Sequence, residues 1–258
     1  MAVRPVNPDR PSFVVGVRPV QELLARRPLE IERILVARES AGTVGRLLRI
    51  AREAGIPVTH IDRDRLAARA GRRSATQGIV AQVAAAAYAP LAPSVGKAQA
   101  KPDGLLVLVD RVTDAGNLGA IVRTAAAAGA DAVILSREGT AGLTSHAIKA
   151  SAGAVERIPV CREPEPARRV ETLREEGFLC LALDPQGGVA WTDLPLTGKV
   201  LVVAGGEERG ARPGIVEKCD NRVAIPLERG MDSLNVAVAT GVILFELQRQ
   251  RRARPTRG

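Results

Sequence analysis

The sequence predicts an α/β protein whose larger part is a parallel sheet covered on both faces by helices. Two observations lead there. The chain is 46% hydrophobic but only 2% aromatic, so its core must be built from Val, Leu, Ile and Ala, which suits layered strands and helices. From residue 104 onward, continuous apolar runs also alternate with amphipathic stretches, the pattern of strands buried on both faces.

Element by element, "VRPVQELLAR" (17–26) has helical apolar spacing and "IERILVA" (31–37) reads as a strand. "TVGRLLRIAREAG" (43–55) reads as a helix closed by Gly55, and "PVTHI" (57–61) and "QGIVAQVAA" (77–85) read as strands. These form a small α/β module in which "DRDRLAARAGRRS" (62–74) is the arginine-dense segment. "YAPLAPSVGKAQAKPDG" (88–104) has three prolines and no periodic apolar pattern, so it reads as a linker.

The larger part opens on the strand "GLLVLVD" (104–110). It continues as helical "NLGAIVRTAAAAGA", strand "DAVIL", helical "TSHAIKASAGA", strand "RIPV", helical "ARRVETLREEG" and strand "FLCLAL". "KVLVVAGG" (199–206) is a further strand, followed by helical "RPGIVEKC", strand "RVAIPL" and a long final helix through "NVAVATGVILFELQRQR". The expected boundaries are a small domain at 12–89, a linker at 90–103, the main domain at 104–250 and a basic tail at 251–258. No internal repeat is present.

The net charge of +9 is unevenly placed. Residues 1–100 carry 16 Lys and Arg against 8 Asp and Glu, residues 101–248 carry 16 against 20, and the tail "RQRRARPTRG" adds five arginines. Basic ends therefore flank an acidic middle. The arginine excess suits phosphate binding, although a GC-rich genome produces the same bias. Cys161, Cys180 and Cys219 stand far apart without CxxC spacing, and with two histidines in the chain the usual zinc ligand sets are missing. They read as reduced, mostly buried thiols and no metal is expected. No apolar run is long enough to span a membrane, and "MAVRPVNPDRPSF" lacks the apolar stretch of a signal peptide, so a soluble cytoplasmic protein is expected.

In open parallel sheets ligands bind at the carboxyl ends of strands. Three loops there stand out. In "DRVTDAGNLGAIVRTAAAAGA", Asp110 ends a strand, Gly116 and Gly119 flank Asn117, and Arg123 follows on an otherwise apolar helix, where it should face a cleft or an anion. Asn117 also suits a helix cap. In "VVAGGEERG", Gly205 and Gly206 permit close backbone approach and Glu207 offers a carboxylate, unless the loop is only a tight connection. In "IPLERGMDSLNVAVATG", Ser233 begins a helix as a natural N-cap and Asn235 could satisfy orphan backbone donors there, but capping explains one of the two polar residues and not both. No GxGxxG, GxxxxGK[ST] or GxSxG occurs, and His60 and His146 have no obvious triad partner.

Together, "NLGAIVRTA", "GGEERG" and "IPLERGMDSLNVAVATG" resemble, in order and spacing, the three motifs of the SpoU/TrmH family of RNA ribose 2′-O-methyltransferases. "VVGVRPVQELLA" and "TQGIVAQV" resemble the ends of the family's small RNA-binding domain, as in RlmB-type enzymes that methylate a guanosine of 23S ribosomal RNA. "CDNRVAIPL" and "FELQRQR" extend the likeness. The resemblance implies an L30e-like small domain, a SPOUT-type domain with a C-terminal trefoil knot, an S-adenosylmethionine site made from the knotted loops, and a homodimer. It places the cofactor against Gly205, Ile225 and Leu234 with Glu207 beside it. Asn117, Arg123, Glu207, Ser233 and Asn235 would form the catalytic cluster at the target ribose. Three positions depart from the pattern: Ala115, Ala237 and Thr76 stand where the family often has proline, serine and histidine.

Because an arginine side chain is effectively always protonated, Arg123 is expected to clamp the ribose oxygen or the neighbouring phosphate rather than to take the proton. RNA, as 23S ribosomal RNA or a ribosome assembly intermediate, is the expected partner. Other readings are a tRNA-directed or antibiotic-resistance methyltransferase of the same family, and a non-catalytic RNA-binding scaffold.

Overall fold

A computed structural model of the chain describes residues 12–38, 42–70 and 76–253. The chain divides into two compact units, one of residues 1–88 with 142–145, the other of residues 89–141 with 146–258.

The smaller unit contains β1 (Ser12–Val15), α1 (Val17–Arg26), β2 (Ile31–Ala37), α2 (Thr43–Glu53), β3 (Val58–Ile61), α3 (Arg63–Ala70) and β4 (Ile79–Val83). Its sheet runs β1-β4-β2-β3, with only the β2/β3 pair parallel. Val20, Leu23 and Leu24 of α1 and Val44, Leu47, Leu48 and Ala51 of α2 bury one face against Ile34, Val36, Ile79 and Ala81. The other face carries Leu35, Ala37 and Val80 under Leu66 of α3. The sequence reading missed β1 as a strand, since four residues at a sheet edge carry little periodic signal. Residues 71–74 of the arginine-dense segment lie outside the described residues, as do residues 1–11 and 254–258 of the tail.

The expected linker is the main correction. Residues 91–99 form α4 (Leu91–Gln99), whose Val95 and Ala98 are buried in the core of the larger unit. Pro93 falls in the first turn, where no intrahelical N–H is needed, and Ser94 Oγ donates to the Pro90 carbonyl at 2.7 Å. Packing therefore overrides a composition that reads as coil.

The larger unit continues through β5 (Leu105–Asp110), α5 (Ala115–Ala127), β6 (Ala132–Ser136), α6 (Ser145–Ala150), whose first residue falls in the smaller unit, and β7 (Val160–Glu163). Then follow α7 (Pro166–Glu175), β8 (Leu179–Leu183), β9 (Val189–Ala190), β10 (Val200–Gly205), α8 (Pro213–Val216), β11 (Asn221–Ala224) and α9 (Val236–Arg252). The sheet order is β7-β6-β5-β10-β8-β11-β9, with every adjacent pair parallel. Leu106, Leu108, Ile134, Leu201 and Val203 bury one face against α4, α7 and α8 through Val95, Val170, Leu173 and Ile215. On the opposite face α5 and α9 pack on each other.

Several boundaries differ from the sequence reading: β7 meets the expected strand "RIPV" (157–160) only at Val160, and β9 was not expected. β11 ends at Ala224, so Ile225 and Leu227 belong to the loop beyond it. α9 starts at Val236, not at Ser233. It also runs to Arg252, so Arg251 and Arg252, expected in the tail, are helical, and Arg251 donates to the Gly198 carbonyl at 2.7 Å.

Candidate active site

The chain runs outward from β5 to β6 and β7, then returns to build β8, β10 and β11 on the other side. The order thus reverses at the β5/β10 pair, and a crevice opens outside the strand ends at such a reversal. The loops after β5, β10 and β11 all leave from carboxyl ends there, and they hold the three motifs.

In the first loop Asp114 is the cap of α5: its Oδ1 accepts from the Asn117 backbone N–H at 2.7 Å. Asn117 is therefore not a cap, and its side chain is free to point out of the first turn. Gly119 is explained by packing on α6, since a Cβ there would lie 2.4 Å from the Ala147 carbonyl oxygen, while one on Gly116 would lie 3.0 Å from the capping Asp114 Oδ1. His146 is exposed on α6 and His60 is exposed on β3.

In the third loop the capping assignment is corrected too. Asn235, not Ser233, caps α9: its Oδ1 accepts from the N–H groups of Ala237 at 2.9 Å and Val238 at 3.3 Å. Its amide nitrogen, left over from that task, donates to Asn117 Oδ1 at 3.0 Å and to Glu207 Oε1 at 3.1 Å. Asn117 Nδ2 also donates to Glu207 Oε1, at 2.5 Å. One residue from each loop thus closes a three-way cluster, joining positions 28 to 118 residues apart. One asparagine serves both the helix end and the cluster because its amide has an acceptor and a donor end.

Beside this cluster lies a cleft of about 360 Å³. Gly205, Ile225 and Leu234 all line it, together with Ser233 and Glu207, and Leu183, Leu227 and Val236 add aliphatic wall. A second cleft of about 350 Å³, lined by Arg111, Asp114 and Arg209, shares Gly206 and Glu207 with it.

The loop after β10 is tightly held. A Cβ on Gly205 would lie 2.0 Å from the Ala211 nitrogen, and one on Gly206 would lie 2.2 Å from the Arg111 carbonyl oxygen, so both glycines are required by backbone passing close to backbone. Asp110, wholly buried at the end of β5, accepts from Arg212 Nε at 2.9 Å and from the Arg212 backbone N–H at 2.8 Å. This Asp110–Arg212 pair escaped the sequence reading. Its signal is a carboxylate at the end of an otherwise apolar strand.

Arg123 is not brought into the cluster. It is six residues past Asn117, roughly 240° further round a helix of 3.6 residues per turn. It is exposed there and makes no hydrogen bond or ion pair with the described residues. Burial pushes the thiols of Cys180 and Cys219 up to about 12 and raises that of Cys161. All three are free cysteines, as expected, with Cys161 and Cys180 fully buried and Cys219 partly so. No group of metal-ligating side chains occurs among the described residues, and no described helix is long and apolar enough to cross a membrane.

The chain is similar to known proteins along most of its length. Residues 104–245 match the SpoU rRNA Methylase family, and residues 13–89 match the domain described as RNA 2′-O ribose methyltransferase substrate binding. An uncharacterized tRNA/rRNA methyltransferase of Mycobacterium sp. (strain KMS) is 36% identical over 249 residues, covering 95% of this chain and 78% of that protein. Among solved structures, the SpoU methyltransferase AviRb from Streptomyces viridochromogenes, in complex with the cofactor AdoMet, aligns with a TM-score of 0.58 and 28% identity over 94% of this chain and 91% of its own. An AdoMet-bound rRNA methyltransferase from Sinorhizobium meliloti aligns with a TM-score of 0.56 and 27% identity over 93% and 87%.

Proposed function

Since this chain belongs to the SpoU family of RNA methyltransferases, we propose that it transfers the methyl group of S-adenosylmethionine to the 2′-hydroxyl of a guanosine ribose in 23S ribosomal RNA. The observation that carries the reading is the Asn117–Glu207–Asn235 cluster standing at the edge of the cleft where Gly205, Ile225 and Leu234 meet.

That cleft suits the donor. Its volume is within the roughly 300–1,000 Å³ of small-molecule sites, Ile225, Leu227 and Leu234 offer aliphatic wall for an adenine, and Glu207 and Glu208 offer negative charge for a cationic ligand. When bound, S-adenosylmethionine supplies an electrophilic methyl on a positively charged sulfur. The close passage of Gly205 and Gly206 against Ala211 and Arg111 is also what a chain drawn through its own loop, as in a trefoil knot, requires.

A ribose 2′-hydroxyl is a poor nucleophile, so the chain's task is to fix that oxygen in line and to stabilise the charge that develops on it. Asn117 and Asn235 hold Glu207 by one carboxylate oxygen, Oε1, and leave Oε2 available to accept from a substrate hydroxyl. Ser233 offers a hydroxyl on the wall of the same cleft. Arg123 lies outside this cluster in its own chain, so its clamp on the ribose oxygen or the adjacent phosphate would come from the second chain of the homodimer, and the proton leaves to that phosphate, to Glu207 or to water. Its exposure and its lack of a partner among the described residues support this role. Arg123→Lys keeps the charge and loses the planar fork, so full turnover in that variant excludes a bidentate contact.

A homodimer belongs to the same reading. Val238 and Phe245 are 53% and 52% exposed on α9, and seven residues apart they share one side of the helix. Sedimentation should show a dimer that Phe245→Asp disrupts.

Site-resolved mapping of ribose 2′-O-methylation in cells with and without the gene tests the whole proposal. Loss of one guanosine mark in 23S ribosomal RNA is expected. Loss of a tRNA mark would move the enzyme to tRNA, an alternative kept open by the mycobacterial relative named for both. No lost mark would revive the non-catalytic scaffold.

A further inference from the structure

The smaller unit holds a groove that its own core does not fill. One face of its sheet is sealed by α1 and α2, whereas the other has, among the described residues, only the eight residues of α3. Leu66 anchors that helix over Leu35, Ala37 and Val80. Arg33 stands two residues before Leu35 on β2, and Thr59 pairs in register with Leu35 from β3. Alternation puts all three on the α3 side of the sheet, and at this end a groove of about 410 Å³ remains open.

Its composition is specific. Leu35, Ile61 and Ala68 supply an aliphatic floor, and Arg33, Arg65 and Arg69 supply the rim. Arg65 and Arg69 are four residues apart on α3, hence on one side of it. All three arginines are exposed, and none makes a hydrogen bond or ion pair with the described residues. Arg27, Arg38 and Arg49 of the unit are paired with Glu30, Asp62 and Glu53, whereas Arg46 and Arg52, on α2 across the sheet, are unpaired among the described residues like the groove arginines but line no groove with them.

We propose that this groove takes one unstacked nucleotide of the substrate RNA, its base over Leu35, Ile61 and Ala68 and its flanking phosphates on Arg33, Arg65 and Arg69. The inference rests on the reading of the chain as an RNA methyltransferase and adds where and in what form the RNA is held. Three unpaired guanidiniums match phosphate oxygens, and guanidinium planes also stack on bases. A concave site with an apolar floor suits a splayed base, whereas an A-form duplex presents a wide, shallow minor groove.

The test uses the full chain, a labelled mixed-sequence single-stranded 12-mer RNA and a duplex of the same sequence. At a salt slope of about −0.7 per phosphate contact on single strands, removing three contacts lowers the slope by about 2 and weakens binding roughly 100-fold at 0.1 M salt. The combined variant Arg33→Ala, Arg65→Ala, Arg69→Ala should show that loss and lose the preference for single strand over duplex. The control Arg46→Ala, Arg49→Ala, Arg52→Ala on α2, across the sheet, should bind as the unaltered chain does. Ala68→Asp, which keeps the arginines and fouls the floor, should weaken single-strand binding more than duplex binding.

Equal losses in the two triple variants would overturn the groove in favour of diffuse charge, and so would equal losses on single strand and duplex. An unaltered chain that binds no RNA would defeat the methyltransferase reading itself, while an unaltered chain that binds RNA with no effect of the groove triple defeats only the groove.

Discussion

Asn235 performs two tasks, and two substitutions separate them. Its Oδ1 caps α9 while its amide nitrogen joins Glu207 and Asn117. Serine is nearly as good an N-cap as asparagine but lacks the amide, whereas alanine lacks both and costs about 1 kcal/mol more at a cap. The two lost amide bonds are exposed, so together they contribute about 1 kcal/mol. At about 2–4 °C per kcal/mol for a unit of this size, Asn235→Ser should lower the melting transition of the larger unit by about 2–4 °C and Asn235→Ala by about 4–8 °C. Turnover behaves differently. Both variants release Glu207 from the same bond, and misplacing a reacting group by about 1 Å costs on the order of 10²-fold, so both should lose that factor in kcat with cofactor affinity unchanged. Calorimetry, cofactor titration and single-turnover methylation read the three quantities. Full turnover in Asn235→Ser would refute the argument that the amide bridge sets the cluster, and identical melting of the two variants would refute the cap.

Other predictions follow from the same geometry. Asp110→Asn leaves the Arg212 guanidinium beside a neutral group at a wholly buried position. The Arg212 side chain is 28% exposed and keeps part of its hydration, so the loss is that of hydrogen bonds to a charged group, about 1.5–3 kcal/mol; thermal unfolding should shift down by roughly 3 °C or more, and an unchanged transition would show the ion pair to be dispensable. Gly206→Ala sets a methyl 2.2 Å from the Arg111 carbonyl oxygen; overpacking of this kind costs about 1–3 kcal/mol, and cofactor affinity should fall with stability as the loop shifts. With Cys180 and Cys219 pushed up to about 12 by burial, only about one thiol in 10⁴ is ionised at pH 8. Iodoacetamide should therefore label them slowly in the native protein and quickly in denaturant; fast native labelling would contradict the burial.

The sequence by itself determined the central strands of the parallel sheet, because residues buried on both faces must be apolar throughout, as "LLVLVD" and "VLVVAG" are, whereas the two-residue edge strand β9 carried no such signal. It also singled out the three loops that the fold brings together, since Asn117, Glu207 and Asn235 are polar residues set against apolar elements. Only the tertiary structure decided the rest. Helix α4 was hidden by its prolines and small residues, because what makes it helical is the burial of Val95 and Ala98 against strands far along the chain. Ser233 and Asn235 are equally good caps by residue type, and the choice between them was made where the chain actually turns into α9. That Asn117, Glu207 and Asn235 share one cluster follows from the strand order that sets β10 between β5 and β8, while Arg123 stands apart because six residues carry it round α5 from Asn117. Periodicity is a local property of a chain, and pairing across 90 or more residues is not.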